Sequence, residues 1–379
     1  MKILLIGSGA VGSVLARLLC RDRSVVSVTV ATHEVSSARR VLAAHPKLHV
    51  RAVDASSVKD IVRVAKGKDL VINAALPDFN RQTMRAALTV GANYQDLCSQ
   101  LKDCKNPEQL KFDAEFRRKG LVGLINTGIS PGVTNLLVRE AADTFDSVNE
   151  VKIRIFQEQE ADEMQFSWSP AVTLDELTST PLVYRSGRYS LVKPFADREP
   201  YDFGDGIGTA DVVTTYGDEV ATVPRFLHIR FMDYKSGGNE IEDAERLYRR
   251  KAFDARRVRV QGKRVRVPSS DEMKRLIRDG SVKDARLVMA VEVRGKKDGS
   301  PSVVKSVVRC PTLKEIMRLC PGATYVAYPT AVSAAAFSRI IHEIDEPGVR
   351  PPETLEKPLR AKVIQRLRQG GIRIVKIER

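Results

Sequence analysis

The 379-residue sequence predicts an α/β protein with a Rossmann-type, doubly wound parallel sheet and a second, α+β domain. The first observation behind this prediction is that short apolar runs alternate with helical segments up to about residue 125, as in βαβ units. The second is that the alternation stops near residue 147, where β-like runs with few long helices begin. The chain is long enough for two domains that each have a core.

The chain begins with an apolar run, Lys2–Ile6, that is typical of a strand buried on both faces. Three glycines in the spacing G-x-G-x-x-G follow, and an apolar helical period comes after them. In this context the glycines permit a tight turn, the approach of a pyrophosphate to the backbone, and close packing of the helix on the strand. The helix N-terminus then faces the phosphates. We therefore expect a dinucleotide to bind at Gly7, Gly9, Ala10, Val11 and Gly12.

The second predicted strand covers 25–31. In dinucleotide-binding domains, the residue at the end of this strand helps to select NAD or NADP. A carboxylate at this point would accept a hydrogen bond from the ribose 2′-hydroxyl of NAD, whereas a small polar residue with basic neighbours suits the 2′-phosphate of NADP. Here Thr32 and His33 follow the strand, and two arginines lie downstream at 39–40. Glu34 is the only nearby carboxylate and comes slightly late. The sequence favours NADP as the cofactor and leaves NAD open.

The remaining elements of the first domain alternate in the same way. Strands are expected at 48–53, 69–73, 91–97 and 120–125, and helices at 58–65, 81–90 and 107–119. In a parallel sheet of this kind, ligands lie outside the carboxyl ends of the strands. The loops that we expect to form the site are therefore 7–12, 74–77, 94–96 and the segment after residue 125.

The second part of the sequence has the composition of a mixed or antiparallel sheet. Residues 151–156 alternate as a strand, and two runs at 285–294 and 302–310 flank a hairpin loop. Residues 222–231 also have strand composition, with Pro224 at a sheet edge. The basic run 246–266 contains alternating valines at 258, 260, 265 and 267, which is typical of a half-exposed hairpin. Near the C-terminus, 325–341 predicts a turn and a helix with a small-residue face.

The composition indicates which binding partners and which cellular compartment to expect. The net charge of +15 would attract an acidic substrate or a nucleic acid, but a charge-rich surface explains it as well, so no nucleic-acid partner is expected. The five cysteines are odd in number and lack C-x-x-C spacing, which indicates a reducing compartment without structural zinc. There is no apolar run of about 18 residues, and Arg17 interrupts the opening one. We expect no signal peptide, no membrane contact and a cytoplasmic location.

Four stretches together resemble the saccharopine dehydrogenase family. They are the opening glycine turn 7–12, Gly-Ile-Ser-Pro-Gly-Val-Thr-Asn at 128–135, Gln-Phe-Ser-Trp-Ser-Pro at 165–170, and Tyr-Pro-Thr-Ala at 328–331 with Gly-Val-Arg-Pro-Pro at 348–352. The resemblance implies a cofactor domain of residues 1–127 and 325–379, with a substrate and dimerisation domain, 128–324, inserted into it. It also implies NAD(P)-linked oxidation of a C–N bond in an amino-acid derivative or secondary amine, by a homodimer.

The branch of the family is open. Ser130 stands where the saccharopine reductase and carboxynorspermidine branches commonly carry an aspartate, and Asn135 resembles the lysine 6-dehydrogenase branch. The stretch around Trp168 instead resembles the saccharopine reductase branch. Saccharopine, lysine and another amine therefore all remain candidate substrates.

The resemblance and the predicted sheet edge together suggest the site residues. Asp96, in a Tyr-x-Asp turn, is the candidate catalytic residue that would handle a proton or pair with a substrate ammonium. The further cofactor candidates are Thr32, His33, Asp54, Asn73, Ala75, Leu76, Pro77 and Gly128, and the substrate candidates are Tyr94, Ser130, Pro131, Gly132 and Trp168. No histidine lies in a motif that suggests a base, and no metal ligands are expected. The alternative to an enzyme is a dinucleotide-binding sensor or scaffold without turnover.

Overall fold

The structure, a computed structural model, describes residues 1–42, 44–100, 102–162, 179–204, 206–249, 259–260, 263–264 and 270–378. It forms two compact units. The first unit comprises Met1–Val133 and Ala327–Gly370, and the second comprises Thr134–Val326 and Gly371–Arg379.

The first unit is built on a seven-stranded sheet in which all pairs are parallel. Its strands are β1 (Lys2–Ile6), β2 (Ser27–Thr32), β3 (Leu48–Ala52), β4 (Leu70–Asn73), β5 (Asn93–Asp96), β6 (Val122–Leu124) and β17 (Gly348–Arg350). Their order is β17-β6-β5-β4-β1-β2-β3, so the winding reverses between β1 and β4. This reversal opens a crevice for ligands at the carboxyl edge of the sheet. The predicted Rossmann-type sheet is confirmed.

Helices cover the sheet of the first unit. They are α1 (Ala10–Arg21), α2 (Val35–Val41), α3 (Val58–Ala65), α4 (Asn80–Val90), α5 (Asp113–Arg118), α11 (Ala327–Ile340) and α12 (Lys357–Gln369), with short 3-10 turns at Pro77–Phe79, Glu108–Phe112, Ile341–Glu343 and Pro352–Thr354. The small-residue helix α11 packs against α1 and α12. The side chain of Gln95 on β5 donates to the α11 backbone at Ala334 and accepts from Ser338.

The second unit contains a mixed nine-stranded sheet. Its strands are β7 (Ser147–Ala161), β8 (Leu182–Arg185), β9 (Arg188–Leu191), β10 (Glu199–Asp202), β11 (Thr209–Thr214), β12 (Phe231–Gly237), β15 (Val282–Lys297), β16 (Ser300–Arg309) and β18 (Arg373–Glu378). The main order is β10-β11-β12-β7-β15-β16-β18, with β8 paired to β12 and β9 to β8. Strand β12 runs parallel to β7, whereas β15 and β16 form the predicted antiparallel hairpin.

The helices described in the second unit are α6 (Val133–Ala142, which begins in the first unit), α7 (Glu219–Phe226), α8 (Asn239–Arg249), α9 (Ser270–Arg278) and α10 (Leu313–Leu319). The strand expected at 222–231 is wrong. Residues up to Phe226 form α7 with Pro224 inside it, and strand β12 starts only at Phe231. A short apolar run satisfies both the strand and the helix period, and in α7 the buried Val220 and Val223 follow the helix period.

The structure differs from the prediction for the C-terminal segment, and it describes only part of the basic run 246–266. The chain was expected to stay in the first domain from residue 325 to its end, but β18 pairs with β16 at the edge of the second sheet. Within the basic run, 246–249 are the end of α8, and short strands β13 (Arg259–Val260) and β14 (Lys263–Arg264) pair antiparallel. Val258, Val265 and Val267 lie outside the described residues.

A buried arginine links three strands of the second sheet through ion pairs. Arg154 on β7 has a side-chain exposure of 0% and makes a bidentate contact with Asp233 on β12, at 2.7 and 3.0 Å. It also lies 2.7 Å from a carboxylate oxygen of Glu199 on β10. A buried ion pair of this kind is costly to break because the remaining charge stays out of water.

We predict that Arg154→Met destabilises the second unit by about 3–5 kcal/mol, because the Asp233 carboxylate remains buried without its guanidinium. The matched control is Arg117→Met, which breaks the exposed pair between Arg117 and Asp113 and should cost about 0–1 kcal/mol. Denaturant unfolding of both variants measures the difference. Equal unfolding midpoints for the two variants would contradict the assigned role of Arg154.

Candidate functional site

The glycine turn after β1 has the geometry of a phosphate cradle. Gly7 has a φ of +100°, and a Cβ there would lie 2.8 Å from the backbone of Ala74 and Ala75. A Cβ on Gly12 would lie 2.4 Å from the carbonyl oxygen of Gly7. A Cβ on Gly9, by contrast, would meet no described atom within 4 Å. Internal packing therefore requires two of the glycines, whereas the space over Gly9 is open to a ligand that approaches the backbone closely.

The first turn of α1 supplies donors to the same space. Gly9 is the N-cap residue, and among the described residues no side chain caps this turn and no acidic residue lies in it. The first N–H groups of a helix have no acceptor within it, and the positive end of the helix dipole favours an anion there. The backbone at Ala10 and Val11 thus fits the pyrophosphate of a dinucleotide.

At the end of β2, the predicted specificity residues divide into buried and exposed groups. The buried hydroxyl of Thr32 accepts hydrogen bonds from the Ser8 hydroxyl, at 3.2 Å, and from the Glu34 N–H, at 3.3 Å. The side chains of His33 and Glu34 are 82% and 62% exposed and lie 3.6 Å apart. Asp54 follows β3 at the same edge, and hydrogen bonds from Ser56 lower the pKa of its carboxyl. Thr32 therefore shapes the turn, and the exposed side chains can contact a ribose.

The loop after β4 is shaped by the predicted cofactor residue Asn73. Its side-chain oxygen accepts from the N–H of Ala75 at 3.1 Å, and its side-chain nitrogen donates to the carbonyl of Leu76 at 3.2 Å. Asn73 itself is buried, whereas Ala75, Leu76 and Pro77 are half-buried. The side chain of Asn73 is thus occupied within the protein, and the segment 75–77 is the part of this loop that can reach a ligand.

Asp96, the predicted catalytic residue, is fully buried at the end of β5. One carboxyl oxygen accepts from the N–H of Asn126 at 2.7 Å, and the other lies 2.9 Å from the Tyr94 hydroxyl oxygen and accepts from the Gln109 amide at 3.1 Å. Tyr94, a predicted substrate contact, is also fully buried. The structure therefore places both side chains beneath the sheet edge rather than on its surface.

These contacts belong to a larger cluster, which we call the buried polar network. Its members are 7% exposed or less and lie at the ends of β4, β5 and β6 or at the starts of the following helical segments: Asn73, Asn80, Tyr94, Asp96, Glu108, Gln109 and Asn126. Asn80 accepts from Asn73 at 2.7 Å and donates to Glu108 at 2.8 Å. Asn80, Glu108, Gln109 and Asn126 are not among the predicted site residues. The first three lie at the starts of predicted helices, where polar residues are ordinary, and Asn126 follows a predicted strand in a loop without a functional motif of its own.

The hydrogen bonds of Tyr94 indicate the protonation state of Asp96. The Tyr94 oxygen lies 2.9 Å from Asp96 and 3.1 Å from the amide oxygen of Asn80, but a hydroxyl has one proton to donate. A protonated Asp96 resolves this conflict, since it donates to Tyr94 while Tyr94 donates to Asn80. Burial raises the pKa of the Asp96 carboxyl to about 8, and the nearby Glu108 adds to the rise. The carboxyl is therefore largely neutral at neutral pH.

The loop after β6 forms a tight structure around two glycines. Gly128 and Gly132 form an isolated parallel bridge, the Ser130–Pro131 peptide is cis, and Gly132 has a φ of +134°. A Cβ on Gly132 would lie 2.0 Å from the Gly128 carbonyl oxygen, so only glycine fits. Gly128, Pro131 and Gly132 are buried, and Ser130 is half-buried. Ser130 is therefore the predicted substrate residue of this loop that is accessible.

The rest of this motif contacts α7 in the second unit. The hydroxyl of Thr134 donates to the buried carboxylate of Glu219 at 2.5 Å, and the amide of Asn135 donates to Thr222 at 3.2 Å. These contacts fix the start of α6. Trp168, the remaining substrate candidate, lies outside the described residues.

In the described part of the chain, no group of three or more His, Cys, Asp or Glu side chains is placed to hold a metal ion. No helix in the same ranges is long and apolar enough to cross a membrane.

We predict that Asp96→Asn removes a specific pH dependence of stability. Because the pKa of Asp96 is about 8 in the folded state and near 3.8 in a free carboxyl, its stabilising contribution is largest below about pH 4 and is lost by about pH 8. Wild-type protein should therefore lose stability relative to the variant by up to about 1.4 kcal/mol per pH unit over this range. Denaturant unfolding at several pH values measures it, and a constant difference would contradict the raised pKa.

Comparisons with known proteins agree with this geometry. Residues 3–124 match the family described as "Saccharopine dehydrogenase NADP binding domain". The chain is 26% identical over 249 residues to carboxyaminopropylagmatine dehydrogenase of Synechocystis sp., a match that covers 61% of each chain. It is 23% identical over 260 residues to carboxynorspermidine synthase of Vibrio alginolyticus, covering 62% of this chain and 63% of the relative. The matched region thus spans less than two thirds of either relative.

Two solved structures have the same fold over almost the whole chain. Saccharopine dehydrogenase (L-Glu forming) of Saccharomyces cerevisiae superposes with a TM-score of 0.75 at 14% identity, covering 100% of this chain and 99% of that one. Homospermidine synthase of Legionella pneumophila, in complex with NAD, gives a TM-score of 0.72 at 12% identity, covering 99% and 91%. The chain therefore has the fold of saccharopine dehydrogenase, and its residues 3–124 match the NADP-binding domain of that family.

Proposed function

We propose that this protein is an NAD(P)-dependent oxidoreductase that acts on a C–N bond of an amino acid or secondary amine. The observation that carries the proposal is the glycine cradle, in which the space over Gly9 is open while Gly7 and Gly12 are packed against the backbone. The family of residues 3–124 supports a nicotinamide dinucleotide as the cofactor. When bound, the nicotinamide supplies or accepts the hydride, and the protein has to orient the amine and manage one proton.

The names of the relatives support a class of substrate. Both curated relatives are named after carboxylated polyamines, and both similar structures are named after secondary-amine chemistry, saccharopine and homospermidine. We propose a small amine substrate that carries a carboxylate, with saccharopine, lysine and carboxylated polyamines as candidates. Ser130 and Trp168 remain our predicted substrate contacts. We assign Asp96 a positioning role, since its fully buried carboxyl is hydrogen-bonded within the protein and a substrate would not reach it.

We propose NADP as the preferred cofactor and NAD as the alternative. The exposed His33 beside β2 and the exposed arginines at 39–40 favour a 2′-phosphate, whereas the exposed carboxylate of Glu34 favours a 2′-hydroxyl. We also propose a homodimer, as the family resemblance implies, and a cytoplasmic location, which the cysteine content favours.

The test of the function is nicotinamide absorbance with the purified full chain. Saccharopine, lysine and a carboxylated polyamine are each assayed with NAD⁺ and NADP⁺, and the corresponding carbonyl and amine pairs with the reduced cofactors. We expect turnover of one amine and a preference of at least about tenfold for NADP⁺ over NAD⁺. Cofactor binding without turnover of any amine would instead support the sensor or scaffold.

We predict that Gly9→Ala lowers the affinity for the cofactor by about tenfold or more and leaves the stability of the protein unchanged, because the added Cβ fills only the open space. The matched variant Gly12→Ala should instead destabilise the first unit, since its Cβ collides with the Gly7 carbonyl. Calorimetric binding and thermal unfolding separate the two effects. Unchanged cofactor affinity in Gly9→Ala would refute the cradle.

A further inference from the structure

The carboxyl edge of the first sheet, where we propose that the cofactor binds, is called the cofactor edge below. The buried polar network lies under only one half of this edge. Its hydrogen bonds reach the loop after β4 through Asn73, the loop after β5 through Gln100, whose N–H donates to Glu108 at 3.1 Å, and the loop after β6 through the N–H of Asn126. In a doubly wound sheet the first three strands hold the adenosine half of a dinucleotide, and the following strands face its nicotinamide half. The network is thus placed on the nicotinamide side of the edge.

Asn80 is the centre of this arrangement. Its side-chain oxygen accepts from Asn73 at 2.7 Å and from Tyr94 at 3.1 Å. Its side-chain nitrogen donates to the carbonyl of Cys98 at 2.9 Å and to Glu108 at 2.8 Å. All four hydrogen-bonding positions of one amide are therefore used, and they connect the start of α4 to the loops after β4 and β5.

Glu108 completes the connection without facing the cofactor edge itself. Its two carboxyl oxygens accept from Asn80 and from the backbone of Gln100, and it is 7% exposed. A buried carboxyl costs free energy even when it is hydrogen-bonded, so an apolar side chain would serve simple packing as well or better. What a polar network adds is one defined arrangement of the groups that it joins.

We propose that Asn80 and Glu108 are positioning residues that hold the loops at 74–77, 97–100 and 126–132 in the arrangement that binds the nicotinamide. The inference rests on the proposed function, because it takes the cofactor to be a nicotinamide dinucleotide. Glu108 acts through Asn80 and through the backbone of Gln100, and it contacts no reacting atom.

The test compares two ligands that differ by the nicotinamide. Glu108→Gln keeps the size of the side chain but replaces one of the two carboxyl oxygens, which accept from Asn80 and from the Gln100 N–H, with an NH₂ donor. We expect it to weaken binding of the reduced dinucleotide about tenfold and to leave binding of ADP-ribose, or of its 2′-phosphate if NADP is preferred, within about twofold. Equal losses for both ligands, or no loss for either, would overturn the proposal.

A pair of tyrosine variants controls for the loss of a buried hydroxyl. Tyr94→Phe removes a hydroxyl that bonds to Asn80 and Asp96, and it should reproduce the effect of Glu108→Gln. Tyr325→Phe removes a buried hydroxyl that has no hydrogen-bond partner among the described residues, and it should change neither affinity. Equal effects of the two tyrosine variants would attribute the loss to packing and overturn the proposal.

Hydrogen exchange of the protein without ligand tests the positioning independently of cofactor binding. In Glu108→Gln the amides of Gln100, of 126–130 and of Gly132 should exchange at least about tenfold faster, while those of α1 remain unchanged. Unchanged exchange in these loops would refute the proposal. If wild-type protein binds no dinucleotide, the proposed function fails, and the exchange measurement still decides whether the network holds the loops.

Discussion

The cofactor edge of the first unit depends on the burial of one carboxyl group, that of Asp96. A carboxyl at 0% exposure has to be supplied with hydrogen-bond partners from its own surroundings, because water does not reach it. Those partners come from the β6 exit at Asn126, from Tyr94 and from Gln109. The need to satisfy one side chain thereby fixes the relative positions of segments that are far apart in sequence.

The fold of the first unit could be predicted from the sequence because its signals are local. The buried strands and their helices repeat at the periods that sequence patterns reveal, and the glycine spacing specifies a turn within six residues. The errors came where the deciding contacts are distant. Helix α7 is held by Thr134 and Asn135, more than 80 residues earlier, and β18 joins an edge that β16 leaves free for pairing. Neither contact can be recognised from a local periodicity in the sequence.

The candidate site also has features that could be predicted from the sequence and features that could not. The cradle at Gly7, Gly9 and Gly12 was predictable because backbone sterics alone decide it. The position of Asp96 was also predictable, since it ends a strand at the carboxyl edge, but its burial was not. Whether a residue at a strand end points into solvent or beneath the edge depends on what covers it. Here the cover is the segment containing Glu108 and Gln109, which the sequence showed only as the start of a helical region.

The two halves of the edge use different physical means, and this difference bears on how one fold accommodates different amines. The pyrophosphate cradle is built from backbone groups, which any sequence with the right glycines can provide, and it fits a part that all dinucleotides share. The nicotinamide half is built from a connected set of side chains, in which changing one member alters the hydrogen bonds of its neighbours. Under the proposed function the substrate meets the nicotinamide, so the arrangement of these loops would also set where the reacting amine lies. The buried polar network would then influence the choice of substrate without any of its side chains touching the substrate.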